Sequence, residues 1–259
     1  MHTKHSIMEQ IDRLGIKKTD TLLVHSSMKA VGQVQNGGDT VIDAFIEYLS
    51  QGLLIFPTHT WKQINEEYSI FNPLTEPSCV GLLTNLFLKR PNVYRSLHPT
   101  HSVAAIGQDA LGYVSGEENW DTPCPRDGCW GKLYDRNAKI LFLGCSLQRN
   151  TILHGVEEWN NILDRIKDEH QSLKIVTPND GIIERPMRRH YNIMGDISEN
   201  YGKIKDALLY TGLAHEGKIG DADSILCDAK GMVDLVTSFL QHNPDLFLDD
   251  SPIPKEWYS

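Results

Sequence analysis

The sequence lacks any apolar run near the ~20 residues that span a bilayer. Its longest runs, Gly52–Pro57 and Ile140–Gly144, are strand-sized. The opening residues, Met1–Lys18, are polar and amphipathic, without the apolar core of an export signal. These absences predict a cytoplasmic protein with no membrane partner. Cysteine is scarce, and Cys79, Cys124, Cys129, Cys145 and Cys227 are scattered and odd in number. That is a pattern of reduced thiols rather than of a disulfide framework. Positive charge is also short: 25 Lys plus Arg face 34 Asp plus Glu, a net charge of −9. Such a chain is poorly suited to neutralising phosphates, so nucleic acid is not an expected partner. Repeats, low-complexity stretches and linker-like tracts are missing too. One domain spanning residues 1–259 is therefore expected.

Tight zinc patterns, C-x2-C pairs or H-E-x-x-H on a helix, do not occur. His98-x-x-His101, His59 and Cys124-x4-Cys129 are looser arrangements, and His98 precedes Pro99, which holds it extended. A metal-dependent hydrolase is a rival reading; no metal is expected, and a packing or hydrogen-bonding role suits His98 better.

What is present is 40% apolar residues in a chain of 259, enough to bury roughly three quarters of the unfolded surface. Apolar spacing predicts a helix over Ser6–Leu14, another from Gly38 to Leu49, and one opened by Ser78 and running to about Lys89. Short apolar runs predict strands at Leu22–His25, Leu53–Pro57, Val103–Ile106 and Lys139–Gly144. Ser172–Thr177 and Gly181–Arg185 read as a hairpin around Asn179-Asp180-Gly181. Helices near Asp196–Tyr210 and Ala229–Asn243 complete the chain. The expected fold is α/β, with a central largely parallel or mixed sheet flanked by helices.

Polar residues follow several strands: Ser26 and Ser27, Thr58 and His59, Thr151 and His154. In open α/β sheets ligands bind beyond the strands' carboxyl ends, so these segments can share one cleft. Thr151, His154 and Glu157 are spaced to share one helix face. An imidazole beside a carboxylate is the usual device for proton abstraction. Spacing alone fits a solvated His and Glu on a surface helix as well, the commoner outcome for so short a pattern.

Six short segments in order make the pattern specific. Val24-His25-Ser26-Ser27 with Gly32 and Gly37-Gly38 comes first, followed by Phe56-Pro57-Thr58 and Pro77-Ser78-Cys79-Val80-Gly81. Arg95-Ser96-Leu97-His98-Pro99 runs into Ser102–Gly107, and Ile140–Gly144 leads to Thr151-x-x-His154-x-x-Glu157. Together they resemble the aminoglycoside 3-N-acetyltransferase family over roughly residues 5–160, with Gly217-Lys218-Ile219-Gly220 extending the match. The glycine signature of the Gcn5-related acetyltransferases, Q/R-x-x-G-x-G/A, is absent.

The resemblance implies the antibiotic N-acetyltransferase type of fold and transfer of acetyl from acetyl-CoA to an amine of an aminoglycoside or amino sugar. It makes His154 the general base, with an ordinary pKa near ~6.5. Glu157 would hold the imidazole or attract an ammonium, and Thr151 would contribute a polar contact. It places the cofactor along Ser26, Ser27, Val31 and Gly32, with Ser78, Lys29 and Arg95 as phosphate partners. Departures concern the acceptor. Trp61 and Lys62 stand where an acidic residue is common, Glu76 replaces a threonine, and Glu66 and Glu67 come only later. A biosynthetic, nucleotide-linked amino sugar is the alternative acceptor. Cys145 as a covalent acetyl carrier and a non-catalytic binding homologue are further rivals. Monomer and homodimer stay open.

Overall fold

Short apolar runs bounded by polar turns form most of the strands expected of them. In the computed structural model, which describes all residues from Met1 to Ser259, ten strands follow one another. They are β1 (Thr21–Ser26), β2 (Leu53–Pro57), β3 (Ile70–Phe71), β4 (Tyr94–Arg95), β5 (Val103–Gly107), β6 (Lys139–Leu143), β7 (Lys174–Val176), β8 (Ile182–Glu184), β9 (Ala214–Ile219) and β10 (Ala222–Asp228). Seven make one sheet in the order β4-β5-β2-β1-β6-β10-β9. β2, β1 and β6 run parallel, whereas β5 is antiparallel to β2 and β10 antiparallel to β6. The sheet is thus mixed, parallel only at its centre. A continuous apolar run reports burial on both faces, not direction, and Val103–Ala105 of β5 are buried like the parallel strands.

Alternation along β6 shows how the sheet divides the core. Ile140 and Phe142 point into a cluster with Trp130, Ile152, Val156 and Phe239. Leu141 and Leu143 point the other way, to Ile11, Val41, Phe45 and Phe87. Helices Lys4–Arg13 and Gly38–Tyr48 cover the second face; helices Cys129–Asp135, Thr151–Trp159 and Ala229–His242 cover the first.

One helix start differs from expectation. Ser78 caps nothing: the helix begins at Leu82 after Gly81. The Asn85 side chain accepts from Ser78 N–H and donates to the Ser78 and Gly81 carbonyls, all at 2.9 Å, which fixes residues 78–81 as a turn.

The expected hairpin forms as β7 and β8, with Asp180 in the left-handed region at φ 59°. Bridges Gln171↔Met187 and Ile166↔His190 extend it well beyond those strands. With β3 it makes a separate three-stranded sheet over a small core of Ile64, Phe71, Leu173, Ile175 and Met187.

Candidate active site

β1, β2 and β6 end in polar loops at the same edge of the sheet, and there a cavity of about 1030 Å³ opens. Ser26 ends β1 and Ser27 follows it, His59 and Trp61 follow β2, and Gly144–Asn150 follow β6. Helix Thr151–Trp159 contributes Thr151 and His154, and the extended hairpin closes the opposite wall with Arg165, Arg189 and His190.

His154, half-buried on the cavity wall, heads a chain of hydrogen bonds that runs into the core. Its Nδ1 lies 2.7 Å from the Tyr201 hydroxyl, which donates to Glu157 Oε2 at 2.6 Å. Glu157 Oε1 accepts from Arg165 Nε at 2.6 Å. Tyr201 has a single proton and Glu157 takes it, so the Tyr201 oxygen accepts from His154 Nδ1–H. The imidazole is thereby held with Nε2 unprotonated. Glu157 is 0% exposed and outside the cavity lining. The sequence expectation that Glu157 holds the imidazole directly or attracts an ammonium is not met: its oxygens go to Tyr201 and Arg165. Its side of the helix packs on Tyr201 and Arg165, so it supports His154 through Tyr201.

Burial lowers the His154 pKa to about 4; Asp196 opposes the shift and Arg165 reinforces it. An unperturbed value, the sequence expectation, does not survive that burial. Burial also raises the Glu157 carboxyl, against the pull of Tyr201 and Arg165.

Other imidazoles pack around this one. His190 stacks on His154 with ring centroids 4.1 Å apart, and His101 meets His190 edge-on at 4.9 Å. His59 Nε2 lies 3.2 Å from Thr151 Oγ1, which locates Thr151 on the cavity wall. His25 stacks on Phe142 at 5.1 Å, and burial drives its pKa to about 3. His98 serves the backbone: Nε2 donates to the Thr122 carbonyl at 3.0 Å, and Nδ1 accepts from the Thr100 and His101 N–H groups.

A second depression of about 740 Å³ adjoins the cavity and shares Ser26, Ser27 and Gly81 with it. Lys29, Gly32 and Asp221 line it. Gly32 has φ 81°, and a Cβ there would lie 1.9 Å from Asp221 Oδ2, so only glycine fits. Gly81, with φ 128°, stands at the junction, and the nearest atom to a Cβ there would be Ser26 O at 3.9 Å. Its missing side chain keeps the passage open.

Three expected cofactor residues are elsewhere. Val31 is buried, and its carbonyl accepts from Asp221 N–H at 3.0 Å, shaping the loop from beneath. The Ser78 hydroxyl donates to the His59 carbonyl at 3.2 Å. Arg95 is committed to the Thr58 carbonyl at 2.7 Å and the Glu76 carbonyl at 2.5 Å, and lies over the Phe71 ring. A guanidinium consumed by carbonyls in this way has little left for a phosphate. Cys145 lines the cavity, but burial pushes its thiol up to about 12.

Sequence reasoning missed Tyr201, Arg165, Arg189 and His190. Arg165 follows Glu157 by two helical turns of chain and offered a weak charge-pair signal; the others gave none.

The sequence matches the family described as aminoglycoside 3-N-acetyltransferase over residues 23–241. It is similar to aminoglycoside N(3)-acetyltransferase VII of Streptomyces paromomycinus, 26% identical over 270 residues that cover 92% of this chain and 91% of that one. Among solved structures, AAC-IIIb in binary complex with CoASH superimposes with a TM-score of 0.81 at 23% identity, covering 97% of this chain and 99% of that one. A histidine-to-alanine variant of aminoglycoside acetyltransferase AAC(3)-IVa, in complex with a gentamicin, gives 0.83 at 24%, covering 98% and 93%. At such identities these likenesses show a shared fold.

Proposed function

The chain belongs to the aminoglycoside 3-N-acetyltransferase family and is an acyltransferase of that kind, and on that premise we propose that it moves acetyl from acetyl-CoA to an amine of an aminoglycoside or related amino sugar, with His154 as general base. The observation that carries this reading is the hydrogen-bonded chain from His154 through Tyr201 to Glu157 and Arg165, set at the wall of a large cavity.

The cosubstrate supplies the acetyl group as a thioester, and coenzyme A leaves as the thiol. Ser26, Ser27 and Gly81 form the passage for its narrow arm, and Lys29 stands at the outer depression, where phosphates need a cation. The open space beside Gly81 and the small residues around it fit that role.

An amine is nucleophilic only when neutral. As its nitrogen bonds to the thioester carbonyl carbon, its proton passes to His154 Nε2. Nδ1–H meanwhile stays on the Tyr201 oxygen, so the growing imidazolium charge is felt by Glu157. The same proton serves the departing sulfur when the C–S bond breaks. Transfer is taken as direct within one ternary complex; burial pushes the Cys145 thiol up to about 12, which disfavours it as an acetyl carrier. The whole chain acts as one domain in the cytoplasm.

The test is a panel of aminoglycosides, plain amino sugars and nucleotide-linked amino sugars, followed by free-thiol release and product mass. Thiol release matched by an N-acetylated product is expected with at least one acceptor class. Failure with every amine would overturn the reading. Coenzyme A should also raise the unfolding free energy by about 2.7 kcal/mol at one hundred times its dissociation constant.

A further inference from the structure

The cavity is short of negative charge where a polycationic acceptor needs it. Of its 29 lining residues one is a carboxylate, Asp196, against three arginines, Arg149, Arg165 and Arg189. Asp196 keeps its charge, since its Oδ1 accepts only from the neutral Ser198 N–H at 3.0 Å and hydroxyl at 2.7 Å, but it is one carboxylate against the two arginines, Arg149 and Arg189, that no carboxylate pairs. Glu66 and Glu67 lie outside the lining, and Glu158 accepts from the Thr122 hydroxyl and the Cys124 N–H. The chain's net charge of −9 is therefore spent on other surfaces.

The arginines are not equivalent. Arg165 is neutralised by Glu157. Arg189 is half-buried and has no carboxylate partner. Its Nε donates to Gln171 Oε1 at 2.6 Å, and its terminal nitrogens donate to the backbone carbonyls of Trp61 and Ile64. Neutral acceptors fix the guanidinium without cancelling its charge, and three of its five N–H groups are used, leaving two for a ligand. Its neighbour in the chain, His190, is the ring stacked on His154. Trp61, 47% exposed, adds an aromatic face to the same wall, with Lys62 next to it.

We infer that the acceptor amine belongs to a molecule that also carries an anionic group, a phosphate or a carboxylate, bound by Arg189 between the Trp61 loop and His190. Polycationic aminoglycosides are then the poorer acceptors. This narrows the acetyl transfer proposed above and rests on it.

The experiment compares four acceptors with the same amine: a neutral amino sugar, its phosphate, its nucleotide diphosphate and its uronic acid, beside a multiply charged aminoglycoside. The phosphate and nucleotide arms against the uronic acid distinguish the two anionic sources. At least one anionic acceptor should exceed its neutral parent in kcat/KM by about tenfold or more, the value of one charge-assisted contact. Arg189→Gln should collapse that ratio toward one, mainly through KM, while Arg189→Lys should retain part of it. A merely structural Arg189 would instead lower all acceptors alike in both variants, which overturns the inference. An aminoglycoside that is the best substrate, with kcat/KM falling steeply as salt rises, also overturns it and leaves the acetyl transfer standing. Absence of acetylation with any amine removes both.

Discussion

The two walls of the cavity are built by different means. The wall under His154 grows from the seven-stranded sheet and a cluster of 35 buried apolar residues. The facing wall is a long hairpin resting on a cluster of five. The first wall fixes the proton of His154 through Tyr201 and Glu157, while His25 Nε2 and His59 Nδ1 are buried without a hydrogen-bond partner. The second offers charge, through Arg189. On the proposed function, the general base sits on the large core and the anion-binding arginine on the small one, with His190 and Arg165 of the hairpin reaching across to the base. Their difference teaches how one reaction can be kept while its acceptor changes: the hairpin rests on only five side chains, so its exposed positions can vary provided that Arg165 and His190, which meet the other wall, stay.

The comparison can be broken in several ways. The largest effect belongs to the chemical wall: His154→Ala should lower kcat by roughly two to four decades, the usual worth of general acid–base catalysis. Coenzyme A should still raise the melting temperature of that variant. Near-normal turnover in a folded His154→Ala protein would move the base elsewhere.

Next comes the tie between the walls. Arg165 comes from the hairpin and Glu157 from the helix, and both are buried. Glu157→Gln should cost about 3–5 kcal/mol in denaturant unfolding, because it leaves a buried guanidinium without its partner. A loss under about 1 kcal/mol would mean that the pair does not join the walls.

Acid sharpens the contrast. Burial holds His154 at about 4, below its unfolded value near ~6.5. The unfolded chain therefore takes up a proton first as pH falls. Stability is complete above pH ~6.5 and is lost as pH drops toward 4, by about 3 kcal/mol for this residue. Urea midpoints across that range would show it. A flat profile there would mean that the buried ring is protonated in the folded protein.

The smallest effect lies within the chemical wall. Tyr201→Phe removes the link between His154 and Glu157, and kcat should fall about tenfold, one factor of 1.4 kcal/mol. KM for the acceptor should change less. An acceptor KM that rises while kcat holds would place Tyr201 in binding instead.

How much of this was legible depended on distance along the chain. The central strands, the helix at Thr151 and the polar strand ends are local patterns, and they located the cavity. β9 and β10 escaped because β9, Ala-His-Glu-Gly-Lys-Ile, is an edge strand whose charges keep it from pairing further and hide its periodicity. The partners of His154 come from Tyr201 and from the far leg of the hairpin, so no spacing rule reaches them. Ser78 and Arg95 looked like phosphate ligands because their residue types suit anions. Backbone carbonyls, which have no letter in the sequence, claimed both.

The stacked rings of His154 and His190 impose a counting rule. Two positive charges about 4 Å apart repel by about 4 kcal/mol even at an effective dielectric of ~20. His59, His101 and His190 are each held neutral first by burial and then by the charge the others would carry. A proton on one ring thus disfavours a proton on every other, so the cluster offers its seat to one proton at a time. A site with one seat stores nothing between cycles, so the proton taken from one amine must depart before the next amine is deprotonated. The departing sulfur empties that seat within the same turnover, so the amine and the thiol share one proton site in succession and none is held over.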